Sequence, residues 1–493
     1  MRHCTTRTGH AGPSAKAAGE LILTTHQLRP SERPMRHYFL LLIKAAVLAT
    51  SLASCSALLL AQEPSPLSLH QAATIALEKN PLRKAAIADT QAASAGVREA
   101  RSSLLPRLTF SETAMRGNDP VYVFGSKLRQ QRFTVADFSL NRLNTPTPFG
   151  DFDTSLGARW NLFDSFVSWR GVKRATLASQ ATARQLDRTD QEIVYGVVEA
   201  YYAVLLAGKE VEVDEHALKT ALSIMDRSQA RFDSGVAVES DLLSARVRVA
   251  GRQQDLIRAR NNFSLAQAQL NMAMGIPAES ISKVAEPAAD RSFLTPVLEE
   301  LEKQALTQRP DLKRIELEEQ AQHQSVSIAK SSFGPRVNAF AGWDLHNPTL
   351  FAGGGGSSWL GGIEVQFDIF QGGAKRAQLS RERALQEKAI AMKQASTDAV
   401  RLEVRRAYYD FDANRQQVEV ARAAISQAQE SLRMNQDRYD GGLTTITDLL
   451  GTEDAARRTQ NDYWQALYRL HTSYANLELA TGTLNPQSPV VTP

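Results

Sequence analysis

"RYDGGLTTITDLLGTED" runs from Arg438 to Asp454, and "RFDSGVAVESDLLSARV" runs from Arg231 to Val247. Each opens Arg-aromatic-Asp, has Gly in fifth place and reaches Asp-Leu-Leu further on, 207 residues apart. A phrase written twice at long range is the mark of an internal duplication. The same shift lays Phe163 on Phe370, Ala200-Tyr201-Tyr202 on Ala407-Tyr408-Tyr409, Phe232 on Tyr439, Asp241 on Asp448 and Gly275 on Gly482. Upstream the shift becomes 229, with Pro81 on Pro310 and Pro106-Arg107 on Pro335-Arg336. The 22 extra residues of the first repeat fall between Arg107 and Phe163.

Prolines bound what each repeat holds. None occurs from Phe149 to Ile276 or from Thr349 to Asn485, and proline is what interrupts a helix. Within those stretches Leu242, Val249, Leu256, Phe263 and Leu270 recur every seven residues, as do Leu449, Ala456, Tyr463, Leu470 and Leu477. A strict seven-residue repeat dictates left-handed coiled packing. Leu186, Ile193, Val197, Tyr201, Val204, Val211, Leu218, Leu222 and Met225 form a further stripe. The pattern predicts helices over 165–231 and 371–438, each about 67 residues or roughly 100 Å long. Helices over 68–104 and 297–333 precede them, and others over 238–274 and 445–481 follow. Gly235 and Gly442 stand where the chain must stop and turn back, a left-handed position that glycine takes at little cost.

Elsewhere the period falls to two. Leu108, Phe110 and Ala114 alternate with Thr109, Ser111 and Thr113; Leu156, Ala158, Trp160 and Leu162 alternate with Ser155, Gly157, Arg159 and Asn161. Val337, Ala339, Ala341, Trp343 and Leu345 do the same, as do Ile363, Val365, Phe367 and Ile369. These are four strands, about 106–115, 153–163, 335–345 and 359–370, each apolar on one face and polar on the other. The segments 116–151 and 346–358 read as loops. Alternation suits a water-facing sheet packed on helices, and it equally suits a transmembrane β-barrel. Strand length, Trp160, Trp343 and Trp359 as an interfacial belt, and an export signal favour the barrel. A closed barrel needs about eight strands or more, and open edges cannot stand in lipid, so spanning strands require an oligomer that shares one barrel.

The export signal is "MRHYFLLLIKAAVLATSLASCSALLLAQEP", with Arg36 and Lys44 ahead of an uncharged run from Ala45 to Leu60, the plan of a secretory leader. Residues 35–61 are read as that signal peptide and 1–34 as an extension ahead of the true start. Leu52-Ala53-Ser54-Cys55 also reads as a lipoprotein box that would lipidate Cys55, although Ala57-Leu58-Leu59-Leu60 would then make an unusually apolar start. The remaining boundaries are a first repeat over 62–276, a linker over 277–296, a second repeat over 297–484 and a tail over 485–493.

Net charge is +4, carried by the leader region, so the rest is near neutral and offers no footprint for nucleic acid. Cys4 and Cys55 are the only cysteines, so no disulfide framework holds the repeats. Beyond the leader the five histidines, His70, His216, His323, His346 and His471, have no ligand spacing. "AGGGGSS" lies between strands and reads as loop. No catalytic constellation, cofactor site or metal site emerges, and the chain is read as a non-enzyme.

The order helix–strand–strand–long helix–turn–helix, twice, resembles the TolC-like outer-membrane efflux proteins over about residues 67–484. "ALEKNP" and "ALTQRP" in the leading helices, "NLFD" and "DIFQGGAKR" after the strands, and the two opening phrases carry the likeness. The resemblance implies an α+β membrane protein in which a homotrimer closes a 12-stranded barrel and its helices form a coiled α-barrel through the periplasm. It implies a passive exit duct of an efflux pump or type I secretion system, with a periplasmic adaptor, an inner-membrane pump and outer-membrane lipid as partners. A soluble periplasmic adaptor or scaffold is the rival. By resemblance, Gly235, Val236, Ala237, Gly442 and Leu443 lie at tips that meet the adaptor, Asp448 lines the closed entrance, and Tyr439 with Asp241 holds it shut. Two positions depart from the family pattern. Thr444 stands for an arginine of that link, and Gly451 for a second ring aspartate, which implies a weaker lock and fewer carboxylates in the mouth.

Overall fold

A computed structural model describes residues 66–280, 283–286, 293, 297–351 and 355–492. The leader, the extension and Cys55 lie outside the described residues. Each repeat begins with two helices, α1 (Leu69–Lys79) and α2 (Pro81–Ser102) in the first, α7 (Leu298–Gln308) and α8 (Pro310–Ser331) in the second. The sequence pattern merged each pair into one helix. Asn80 and Arg309 are extended, at ψ 127° and 125°, because the ring of the following proline excludes the helical conformation there. Strands β1 (Arg107–Gly117) and β2 (Phe149–Phe163), then β3 (Arg336–Asn347) and β4 (Gly356–Gln366), come next. The repeats end in α5 (Val167–Asp233) and α6 (Glu239–Met274), and in α9 (Ala374–Asp440) and α10 (Ile446–Thr481). Corresponding helices match to the residue: 11, 22, 67 and 36 in each repeat.

The heptad positions form the buried seam as expected, with Leu242, Val249, Leu256 and Leu270 of α6 and Leu449, Ala456, Leu470 and Leu477 of α10 all covered. The lower half of α5 departs from the expected stripe. Val213, Ala217, Ala221 and Ile224 are buried there, and Leu222 is exposed. Small residues let the helices approach closely, and Leu222 lies off that line. The thickest core lies where the repeats meet, around Tyr201, Tyr202, Leu270, Met274, Tyr468 and Leu479. Phe293 of the linker enters the seam, stacking on Tyr474 at 4.2 Å and meeting Phe411 edge-on.

Each repeat is closed by one device used twice. Gly275 and Gly482 end α6 and α10 in left-handed conformation, at φ 71° and 77°. A methyl on Gly275 would lie 2.7 Å from the Asn80 backbone, and one on Gly482 would lie 2.9 Å from that of Arg309. The proline-made break and the glycine therefore fit into one another. Side chains complete the joint. Asn80 donates to the Ala273 carbonyl at 2.9 Å, and Arg309 to the equivalent Ala480 carbonyl at 3.0 Å.

The strands form one antiparallel sheet in the order β1-β2-β3-β4. Opposed pairs Phe110–Leu156, Leu156–Trp343 and Trp343–Trp359 run an apolar row across all four strands, and Trp160–Ala339–Ile363 runs another. Thr113–Asp153–His346–Gly356 and Ser155–Asp344–Ser358 lie on the opposite, polar face. Trp359, Ile363 and Val365 are more than two-thirds exposed. Strand β4 stops at Gln366, opposite Arg336, so Phe367 and Ile369 fall outside it. Pro335 just before β3 has no N–H to continue the ladder. Segment 116–151, read as loop, instead holds α3 (Pro120–Arg129), a 3-10 turn (Val135–Phe138) and α4 (Leu140–Asn144), and β2 begins at Phe149. Among the described residues no helix is long and apolar enough to cross a membrane.

Candidate functional site: the hairpin tips

The two quoted phrases fold alike. At the end of α5 the Gly235 and Val236 amides donate to the Phe232 and Arg231 carbonyls, both at 2.9 Å, with Gly235 at φ 75°. At the end of α9 the Gly442 and Leu443 amides donate to Tyr439 and Arg438 at 3.0 and 2.8 Å, with Gly442 at φ 72°. This paired closure satisfies the last carbonyls of each long helix. Val236 and Leu443 then stand 67% and 72% exposed, the outermost apolar groups of their turns.

The restarts differ. Thr445 caps α10 with a reciprocal box: the Asp448 amide donates to Thr445 Oγ1 at 3.2 Å, and the Thr445 amide donates to Asp448 Oδ2 at 3.4 Å, an oxygen that Thr445 Oγ1 also reaches at 2.7 Å. Thr444 Oγ1 adds a bond to the same oxygen at 3.3 Å. These bonds, Thr445 first, hold the Asp448 carboxyl below its usual range. Asp448 is thus a helix-capping group, exposed at the turn. Helix α6 starts from Val238 without a side-chain cap, with Glu239 and Asp241 in its first turn.

Tyr439 is buried at 3% exposure against Ile224, Ile446, Leu449 and Leu450. Its hydroxyl shares a hydrogen bond with Ser228 Oγ at 3.1 Å. Among the described residues no hydrogen bond joins Tyr439 to Asp241, which is half-buried on α6. Gly451 lies one turn beyond Asp448, with open space where a side chain would be.

What binds the tips together comes from residues that the sequence pattern did not single out. Arg231 Nη1 donates to the Tyr439 and Asp440 carbonyls at 2.9 and 3.1 Å, and its guanidinium lies 5.1 Å from the Tyr439 ring centre. Arg227 pairs with Asp440 at 2.9 Å. Helix α5 of the first hairpin therefore caps the end of α9 in the second. Arg231 opens its phrase as Arg438 opens the other, and that shared arginine was the available signal. Higher up, Arg252 is buried between Glu453, at 2.6 Å, and Asp454, which also takes Arg248 at 3.1 Å. Burial alone would lower the Arg252 pKa, but the two carboxylates outweigh it and raise it. Arg457 reaches Asp214 of α5 at 3.1 Å. Three helices are thus pinned by charge above the tips. Among the described residues no group of His, Cys, Asp or Glu is placed to hold a metal.

Two long helical hairpins with an amphipathic four-stranded sheet at the far end of each long helix define a class of outer-membrane channels. The sequence matches the family described as "Outer membrane efflux protein" over residues 73–276 and 301–483, one segment in each repeat, and the chain belongs to that family. It is 24% identical over 443 residues to the alkaline protease secretion protein AprF of Pseudomonas aeruginosa, covering 87% of each chain. It is 23% identical over 450 residues to the outer membrane protein TolC of Escherichia coli, covering 87% of this chain and 84% of that one. Among solved structures, the CmeC outer membrane channel of Campylobacter jejuni superposes with TM-score 0.73 at 18% identity, over 86% of this chain and 87% of that one. A CusC structure superposes with TM-score 0.72 at 17% identity, over 85% and 92%. The protein is an outer-membrane channel that extends into the periplasm. Its matched relatives are channel, efflux and secretion proteins rather than enzymes.

Proposed function

We propose that this chain is the passive exit duct of a tripartite efflux pump or type I secretion system, acting as a homotrimer. The sheet carries the reading. One face is apolar and the other polar, and among the described residues β1 and β4 each pair along one edge only. Free backbone edges cannot stand in lipid, whereas three protomers joined edge to edge satisfy every one. Their polar faces then enclose a water-filled lumen, through which cargo moves on energy supplied by an inner-membrane pump.

The helical end is the entrance. Val236 and Leu443, exposed beside Gly235, Ala237 and Gly442, are the surface offered to a periplasmic adaptor. Asp448 faces the entrance lumen once per protomer, with Thr444 and Gly451 leaving the mouth less strongly locked and less acidic than the family pattern. The Arg231–Tyr439 contact makes the two tips of one protomer move as a unit, so opening separates protomers rather than hairpins. Asp241 of a neighbouring protomer is the partner proposed for the outer side of that unit.

Extraction decides the central claim. The expected result is a detergent-dependent, heat-stable trimer in the outer-membrane fraction; a monomer soluble without detergent overturns it in favour of a periplasmic scaffold. Val236→Asp with Leu443→Asp is expected to abolish co-purification of the adaptor while leaving the trimer intact.

A further inference from the structure

The connection between β1 and β2 has no counterpart of its size in the second repeat, and it is folded. Asp119 caps α3 by accepting from the Tyr122 amide at 2.8 Å, and Pro120 occupies the first turn. Phe133 packs edge-on between Phe124 and Phe138, at 4.8 and 5.1 Å. Lys127 pairs with the buried Asp137 at 2.7 Å. The segment therefore has a small core of its own.

Its seat is on the polar face of the sheet. Gln130, 1% exposed, reaches the Gly150 carbonyl at 2.9 Å, Asp151 Oδ1 at 2.8 Å and the Asn347 carbonyl at 3.2 Å. Asp151 lies two residues from Asp153 and so shares its face, and its other oxygen meets His346 Nδ1 at 2.9 Å. Gly356 sits opposite His346 on that face, and a methyl there would fall 2.0 Å from the Arg129 carbonyl oxygen. The connection has thus crossed from β2 over to β4, and glycine at 356 is the space in which its backbone rests. A loop that merely stood above the membrane would need neither a buried amide on the polar face nor a missing side chain beneath it. On its free side it exposes Val121, Val135, Phe138 and Leu140, each at least 65%, although a loop bathed in open solvent has no use for four large apolar groups.

We propose that residues 118–148 are an inward-folded plug that narrows the exterior mouth of the duct with an apolar lining. The inference rests on the reading that the polar faces of three protomers enclose the lumen. Pore width limits what can pass, and three such segments meeting over the lumen leave a narrowed passage, so this end sets a size limit of its own, independent of the helical entrance.

The test is thiol access from outside intact cells. Ser358→Cys places a thiol on the polar face one pleat below Gly356, and the unsubstituted chain controls for Cys4 and Cys55. A small charged methanethiosulfonate is expected to label Ser358→Cys, while a bulky polyethylene-glycol maleimide is excluded. Adding Gly356→Ala, which unseats the plug without altering its sequence, should abolish that exclusion, as should replacing 119–147 by a short glycine-rich turn. If that replacement fails to assemble, Gly356→Ala alone carries the test. Bulky labelling of Ser358→Cys in the otherwise native chain overturns the plug, as does continued exclusion with Gly356→Ala in an assembled trimer. A separate pattern, with the small reagent labelling Trp359→Cys but never Ser358→Cys, overturns the channel reading itself.

Discussion

Asn80 and Arg309 occupy the same place in the two repeats and close the same joint with different chemistry. Asn80 spends one N–H on the Ala273 carbonyl and accepts from the Leu82 amide at 2.8 Å. Arg309, 2% exposed, donates to the Ala480 carbonyl, to both oxygens of Asp311 and to Glu403. Burial would depress its pKa, but Asp311 and Glu403 raise it. The first repeat has Leu82 and Gly196 where those carboxylates stand. Duplication preserved the backbone fit, and the side chains around it were then free to diverge as groups rather than singly. An arginine at this joint came with its two carboxylates, and an asparagine needed neither.

The contrast makes its sharpest claim for Arg309→Met. It strands buried acceptors and unpairs Asp311, so unfolding in detergent should be easier by about 3–5 kcal/mol, whereas Asn80→Ala should cost about 1 kcal/mol. Equal losses would mean that the charged network adds nothing over the amide. Next come the glycines. Gly275→Ala meets backbone at 2.7 Å and should cost about 3 kcal/mol, while Gly235→Ala, at the same φ in open space, should cost roughly 1 kcal/mol. Similar losses would show that the left-handed backbone alone, and not the joint, demands glycine.

A third difference is titratable. Asn271 and Glu478 correspond; the amide donates to the Ala278 and Ser280 carbonyls at 3.0 and 2.7 Å. Glu478 is 8% exposed, and burial pushes its carboxyl up to about 7, against a hydrogen bond from Ser488. An acid with a raised folded pKa favours the fold most below its unfolded value, near 4.5, and that stability drains away as pH rises through about 7. The slope approaches about 1.4 kcal/mol per pH unit inside that window and flattens above it. Melting temperature should fall between pH 5 and 8, and Glu478→Gln should remove the fall. A profile that Glu478→Gln leaves unchanged would locate the titration elsewhere. Smallest in stability is Asp448→Asn at the second tip, whose readout is current through planar bilayers. Cation selectivity or divalent block should weaken, and in the native chain both should persist on acidification through the ordinary carboxylate range, because Thr445 holds that carboxyl low. Identical currents would remove Asp448 from the constriction.

The long helices were legible because two kinds of residue leave marks at a distance. Absent prolines measured their length, and the seven-residue spacing around Leu242 and Leu449 marked their buried seam. Strands were legible wherever polar and apolar residues alternate. The failures share a cause. Pro81 and Pro310 mark the repeat without showing as breaks, since a helix resuming at once keeps its apolar period. The seating of the β1–β2 connection was invisible because Arg129 and Gly356 lie 227 residues apart, and no local pattern records that one makes room for the other. At the tips, Asp448 and the turning glycines stood out, while Arg231 acts through backbone carbonyls of the other hairpin, a target that every sequence offers everywhere.

The equal lengths of α5 and α9, 67 residues each, make the two helices a matched ruler. Arg231 can reach the end of α9 only while both helices measure the same distance from sheet to turn. Deleting one heptad from α5 alone would draw the first tip back by about 10 Å and break the Arg231 and Arg227 contacts with the end of α9. Removing seven residues from all four hairpin helices would shorten the duct and keep its tips level. Length in this molecule can therefore drift only in concert, and the reach from sheet to tip is written twice into each chain.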